Sequence, residues 1–264
     1  MSSNKNLSQN EKKFLSDGYI ISKVKNKDSL DYISNQFTKF AKNVFEIQSN
    51  NSNEFFFNQI HKNINTEKLN QYRLEIINKV NSEPGIKEKL YEISKHILDE
   101  LVSNEVAVQR RLNLSIQCPN DTSSLLPIHA DTWSGDSPFE IVVWLPLVNC
   151  YKTKSMYLLP PKYAKDLNKN FKDFNEKNAQ DLFDSISDKV EWIDIKRGEV
   201  LLFNQSLPHG NTVNNENETR WSINCRFKGL FTPYGDKKLG EFFEPLNTKI
   251  MSKIGMSYKY PEII

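Results

Sequence analysis

The chain has four histidines, and one of them, His129, stands two residues before an aspartate in the stretch HADTWSGDSPFE. On extended backbone an H-x-D pair turns both side chains to one face, because side chains alternate along a strand. Such a pair occurs by chance in charged sequences and decides nothing alone. A second imidazole can be sought by elimination. His61 and His96 lie in or near helical stretches, where a structural or surface role is expected, which leaves His209 in NQSLPHGNTV, 78 residues beyond Asp131. Two imidazoles and one carboxylate on one side of a metal leave three positions open, the arrangement suited to a non-haem Fe(II) that holds a co-substrate and O2 together. Eleven residues past His209 comes Arg220, and Ser222 follows on the same strand face. A guanidinium fork and a hydroxyl so placed can hold the distal carboxylate of a dicarboxylic co-substrate. The five residues together carry far more than the H-x-D pair.

These side chains need strands to hold them. From Val106 the apolar period changes from about 3.6 to 2, the change expected between helices and strands. RRLNLSIQ, FEIVVWLPL, SMYLLP, VEWIDIK, GEVLLFN and RWSINCRF are β-like runs, and about eight short strands are expected between 106 and 229, with His129 on a strand edge. Before them, Leu30, Ile33, Phe37, Phe40 and Val44 mark one buried helix face, and Leu69, Tyr72, Ile76 and Val80 a second. A third repeats Ile86, Leu90, Ile93, Ile97 and Leu101 after NSEPG, where Ser82 is placed to cap and Pro84 suits a first turn. FLSDGYIISKV reads as a turn followed by a short strand from Tyr19 to Val24. The expected organisation is one domain over 1–264. A polar tail covers 1–10, a helical scaffold 28–103 and a strand-rich core 106–229. The core carries a charged insertion at 162–188 with a helix in NAQDLFDSI, and an aromatic segment at 230–264 folds back over it.

Two strands carry polar stripes. In RRLNLSIQ, Arg111, Asn113, Ser115 and Gln117 share a face, and in RWSINCRF, Arg220, Ser222, Asn224 and Arg226 do. A sheet with one solvated face alternates in the same way. If the apolar faces pack on the helices, however, the polar faces point inward, where unpaired groups cost kilocalories each unless something satisfies them. A bound anion would.

Composition removes other classes. The 35 basic and 33 acidic residues are interspersed and leave a net charge of +2, so there is no footprint for nucleic acid or an anionic membrane, and a small-molecule substrate is expected. No segment approaches the ~18 apolar residues of a membrane span. Cys118, Cys150 and Cys225 are odd in number and lack ligand spacing, so buried free thiols in a reducing, cytoplasmic setting are expected.

On His129, Asp131, His209, Arg220 and Ser222, and on the opening FLSDGYIISKV, the sequence resembles the Fe(II)/2-oxoglutarate-dependent dioxygenases, in their phytanoyl-CoA dioxygenase-like branch. The resemblance covers residues 106–229 best and implies a mostly β, α+β fold: a double-stranded β-helix, or cupin-like jelly roll, backed by N-terminal helices. It implies that His129, Asp131 and His209 bind iron, that Arg220 and Ser222 bind the C5 carboxylate of 2-oxoglutarate, and that Asn113 or Gln117 meets its other end. The implied reaction couples decarboxylation of 2-oxoglutarate to succinate, with O2, to oxidation of a substrate. Relatives that halogenate lack the carboxylate, so Asp131 favours hydroxylation, while desaturation, ring closure and epimerisation use the same ligands. The longer string from His129 to Pro160 is also similar to the sporadic carbohydrate cluster oxygenases, which implies a sugar or sugar-nucleotide substrate. Arg111, Glu140, Asn224 and Arg226 would then contact it, with Trp133 and Trp144 stacking on a sugar face. Core packing is the alternative for Trp144, and a solvated turn carboxylate is the alternative for Asp136. Two rival classes share the triad: a cupin-like metal-dependent isomerase or hydrolase, and a non-catalytic jelly-roll carbohydrate-binding module.

Overall fold

The computed structural model describes residues 7–174 and 178–262. Part of the expected N-terminal tail, residues 1–6, lies outside them, but Ser8 opens a helix. Its hydroxyl accepts from Glu11 N while Glu11 reaches back to Ser8 N, the S-x-x-E capping box, and α1 runs Gln9–Asp17. Gly18 ends it at φ 79°, where a Cβ would stand 2.2 Å from Leu207 Cδ1, so only glycine fits the turn into β1, Tyr19–Lys23.

The helical stripes form α2 (Lys27–Phe45), α4 (Leu69–Asn81) and α5 (Ile86–Leu101), with a short α3 (Asn53–Gln59) that the periodicity does not announce. Ser82 does not cap α5. Its hydroxyl donates to Asn78 O at the end of α4, and the cap of α5 is Gly85 at φ 81°.

Nine further strands follow: β2 (Val106–Gln109), β3 (Asn113–Gln117), β4 (Glu140–Pro146), β5 (Tyr157–Leu158), β6 (Glu191–Trp192), β7 (Glu199–Asn204), β8 (His209–Gly210), β9 (Arg220–Gly229) and β10 (Phe243–Asn247). A larger sheet runs β1-β7-β4-β9-β2-β10 with β3 also on β9, and a smaller one runs β6-β5-β8. The pairings are antiparallel, and the fold is a mixed α+β one. Trp221, Ile223, Cys225 and Phe227 of β9 are fully buried. Trp221 meets the helical layer, with its ring 4.7 Å from Phe57 of α3 and 6.3 Å from Phe45 of α2. Burying these apolar stripes on the helices turns the polar side of β9 the other way.

The 162–188 region holds α6 (Pro161–Lys169) and α7 (Ala179–Asp184). They share a small core, including Tyr157, Leu159, Leu167 and Leu182, with the smaller sheet. The C-terminal segment contributes β10 to the larger sheet, pairing β2 through a bulge at Pro245, and then α8 (Ile250–Ser257), which buries nothing. Phe243 is buried, whereas Tyr258 and Tyr260 are exposed, so only the first part of this aromatic segment covers the strands. All three cysteines are buried free thiols. No described helix is long and apolar enough to cross a membrane.

Candidate active site

His129 and His209 face each other across reciprocal backbone bonds, each N–H donating to the other's carbonyl at 3.0 and 2.8 Å. Their rings stand 4.3 Å apart. Each Nδ1 lies against a backbone carbonyl two residues back, 2.9 Å from Pro127 O and 2.8 Å from Leu207 O. A carbonyl only accepts, so both Nδ1 atoms carry a proton and both Nε2 atoms are turned to the side where a metal would bind. Asp131 is not on a strand. It begins a 3-10 turn, Asp131–Ser134, anchored by its N–H donating to Gln205 O at 3.0 Å. One ligand atom from each of His129, Asp131 and His209 lies within 4.8 Å of the others. Beside His209, a Cβ on Gly210 would come 2.7 Å from the Tyr157 hydroxyl and 2.8 Å from Leu126 O, so the backbone there must be bare.

The carboxylate of Asp131 is divided between two neighbours. Oδ1 lies 3.5 Å from His129 Nε2, while Oδ2 accepts from Arg226 Nε at 3.2 Å and lies 3.0 Å from its Nη2. Burial alone would raise the pKa of Asp131, but the His129 bond and the Arg226 and His209 charges overcome it and hold the carboxyl well below the usual range. Burial, helped by His129, pushes His209 down to about 4. For His129 the burial effect is outweighed by Asp131, and its pKa is raised. Once a metal replaces the proton that His129 shares with Asp131, two imidazoles and a carboxylate make the donor set that a divalent metal takes.

The triad lines a cavity of about 450 Å³, a size suited to small-molecule ligands, which Arg220 also lines. Arg220 is 3% exposed and has no carboxylate within 4 Å among the described residues. Nη1 donates to Ser155 O at 2.9 Å and Nη2 to Ser115 Oγ at 2.8 Å. Its Nε is without a partner, as are the neighbouring Ser222 Oγ, Ser155 Oγ and Gln117 Oε1. Burial lowers its pKa to about 10, which leaves it a cation at neutral pH. A buried, uncompensated cation among orphaned polar atoms is the environment an incoming carboxylate would complete. These residues fit both an iron ion and a dicarboxylate.

The other expected site residues are distributed differently. Asn224 and Arg226 line the cavity, and so does Asn113, whose amide donates to Asn224 Oδ1 at 2.9 Å. Arg226 is engaged with Asp131 rather than free for a substrate. Gln117 is fully buried and donates to Thr212 O at 2.5 Å, and neither it nor Ser222 lines the cavity. Arg111 precedes β3 and lines an adjoining cavity instead, where it bonds Asn78. Glu140 is 4% exposed and bound by Gln205 and Ser137, away from the cavity, because it sits at the β4 end beyond the lining residues Val142 and Trp144. Trp133 is turned outward by its 3-10 turn, with its ring 4.7 Å from Phe171. Asp136 is no solvated turn residue. It is 5% exposed and ion-paired to Lys237 at 2.6 Å. The sequence does not mark Ser115 and Ser155 as partners of Arg220, nor Arg73 of α4 as a residue lining the cavity. Ser115 was legible on its strand face. Ser155 acts through its backbone and leaves no residue-type signal.

No protein-family model matches the sequence, and no curated protein matches it. Solved structures of similar fold do. The non-heme alpha-ketoglutarate-dependent carbocyclase SnoK from nogalamycin biosynthesis is 12% identical, over 93% of this chain and 98% of that one, at a TM-score of 0.54. EctD from S. alaskensis, with 2-oxoglutarate and 5-hydroxyectoine, is 14% identical over 89% and 80%, at 0.54. HygX from Streptomyces hygroscopicus, with nickel and 2-oxoglutarate bound, is 11% identical over 89% and 91%, at 0.53. At these identities the likeness is one of fold.

Proposed function

We propose that the chain is an Fe(II)/2-oxoglutarate-dependent oxygenase of the phytanoyl-CoA dioxygenase-like kind, its strands forming the double-stranded β-helix of that group within one domain. The observation that carries the reading is a single cavity lined both by His129, Asp131 and His209 and by Arg220, a buried cation with no counter-ion. The structural neighbours, two of which hold 2-oxoglutarate, support the same reading.

His129 and His209 would hold the metal through Nε2, their Nδ1 atoms being engaged by the carbonyls two residues back. Asp131 supplies the third ligand, and Arg226 engages its far oxygen. Iron bound there supplies O2 activation coupled to decarboxylation of 2-oxoglutarate to succinate. Arg220 receives the distal carboxylate, with Ser222 beside it on β9. Val142, Trp144, Met156 and Phe203 line the apolar wall and keep water from the reacting groups. With Asp131 present as a ligand, hydroxylation is favoured over halogenation.

The substrate is a small polar metabolite, and the resemblance to the sporadic carbohydrate cluster oxygenases favours a sugar. Asn113 and Asn224 at the cavity wall suit hydroxyl groups. Three free thiols accord with a reducing, cytoplasmic setting. Incubating Fe(II)-loaded protein with 2-oxoglutarate, O2 and panels of sugar nucleotides, amino acids and acyl thioesters tests this. Succinate formed in step with oxidation of a sugar-class compound is expected. Oxygen-independent turnover, or activity indifferent to 2-oxoglutarate, would contradict it.

A further inference from the structure

The basic residues are distributed unevenly. The chain has six arginines among its 35 basic residues, the rest being lysine. Five of the six, Arg73, Arg110, Arg111, Arg220 and Arg226, line one or both of two adjoining cavities, and no lysine lines either. The sixth, Arg197, pairs with Asp31. Lysine presents a compact ammonium point charge. Arginine differs in offering a planar fork of donors that fits the paired oxygens of a carboxylate or phosphoryl group.

Arg220 and Arg226 belong to the site already described. The other three stand around the second cavity, of about 470 Å³, which shares Arg73, Asn113 and Leu114 with the first and so adjoins it. Arg110 and Arg111 lie between β2 and β3, opposite Arg73 of α4. Arg110 lies 3.6 Å from Glu244 and donates to Gly240 O. Arg73 and Arg111 bond only the side-chain amides of Asn70 and Asn78, and neither has a carboxylate within 4 Å among the described residues. An amide oxygen on an exposed helix face returns to water at little cost, which frees the guanidinium for a charged ligand. Arg73, Arg110 and Arg111 line the chamber with one carboxylate residue, Glu241; although Arg110 is shared with Glu244, Arg73 and Arg111 still leave it net cationic.

We propose that this second chamber is a phosphoryl-binding subsite, and that the substrate is a phosphate-bearing molecule whose anionic group lies among Arg73, Arg110 and Arg111 while its oxidised part passes Asn113 into the metal cavity. The assignment of the oxidised part rests on the oxygenase reading; the subsite itself does not. Phosphoryl rather than carboxylate follows from the excess of positive charge and from a volume well beyond one carboxylate.

Calorimetric titration of metal-free protein with inorganic pyrophosphate, uridine diphosphate and glutarate tests the subsite without turnover. Pyrophosphate and uridine diphosphate should bind. Arg111→Ala and Arg73→Ala should each weaken them at least about tenfold, and Arg111→Lys should recover only part, while glutarate remains indifferent to Arg111. Tighter binding of uridine diphosphate than of pyrophosphate identifies a nucleoside diphosphate as the source, and equal binding identifies the phosphoryl group alone. Unfolding midpoints of the variants establish that they are folded. Pyrophosphate that does not bind, or binds the combined Arg73→Ala and Arg111→Ala variant as well as wild type, overturns the proposal. So does Arg111-dependent glutarate binding without pyrophosphate binding. Titrating 2-oxoglutarate into Ni(II)-loaded protein separates the two readings: its failure beside intact pyrophosphate binding removes the co-substrate and leaves the subsite standing.

Discussion

Two buried cations occupy neighbouring segments of this molecule and have opposite surroundings. Lys154 is wholly buried, and its Nζ donates to Glu218 Oε2 and Asn58 Oδ1, each at 2.7 Å. Arg220, two residues beyond Glu218, is buried just as deeply and meets only a backbone carbonyl and a serine hydroxyl. The Lys154 cluster joins α3 to the start of β9, where Thr219 N also donates to Asn58 O. It is complete as it stands. The Arg220 cluster retains a free guanidinium N–H and unpartnered hydroxyls. Burial of a charge therefore does not mark a functional site here; a missing counter-ion facing a cavity does.

Four substitutions test that contrast. The largest effect is expected for Asp131→Ala, which removes the carboxylate of the His129, Asp131 and His209 cluster and leaves Arg226 without that partner. Ni(II) affinity by calorimetry should fall by more than about 100-fold, beyond the loss typical of a residue that only supports a ligand. Glu218→Ala deprives Lys154 of its carboxylate, and denaturant unfolding should show a loss of about 1–3 kcal/mol, water at the partly exposed Glu218 position limiting it. Affinity for 2-oxoglutarate should not change. Arg220→Met should leave stability unchanged or raise it by about 1 kcal/mol, since it removes a buried charge that the folded protein does not compensate. A loss as large as that of Glu218→Ala would mean that the two cations are alike.

The smallest effect concerns Glu140, a buried carboxylate hydrogen-bonded to Gln205. Burial raises its pKa against the lowering by the Gln205 bond. A carboxyl with a raised folded pKa adds stability that is full below its unfolded value and is lost as pH rises through the folded one. Glu140→Gln keeps the neutral form throughout. It should be more stable than wild type at about pH 8 and no different near pH 4 in thermal unfolding.

Much of this was legible in the sequence where one local rule sufficed. The change of period at Val106 located the strands, and four histidines with two in helical surroundings left His209 to face His129. Apolar residues between Arg220 and Arg226 had to bury on the helices, which turned the polar stripe inward. What escaped depends on pairing across the fold. Arg226 and Asp131 are 95 residues apart and read separately as a pocket group and a ligand. β10 contains Pro245 and forms at a sheet edge, so neither alternation nor propensity announces it. Ser82 had the residue type of a cap but was already held by Asn78 of the preceding helix. The second chamber joins Arg73 from one helical stripe to Arg110 and Arg111 beyond β2. The scarcity of arginine in so lysine-rich a chain was its one trace in the sequence.

The central claim is that Arg220 is buried to receive a dicarboxylate beside the metal. Titrating 2-oxoglutarate into anaerobic, Fe(II)-loaded wild type and Arg220→Ala measures it directly. Wild type should bind, and the variant should lose about 2–5 kcal/mol of affinity, the cost when a buried charge loses its partner. Equal affinity in the two proteins would contradict the account.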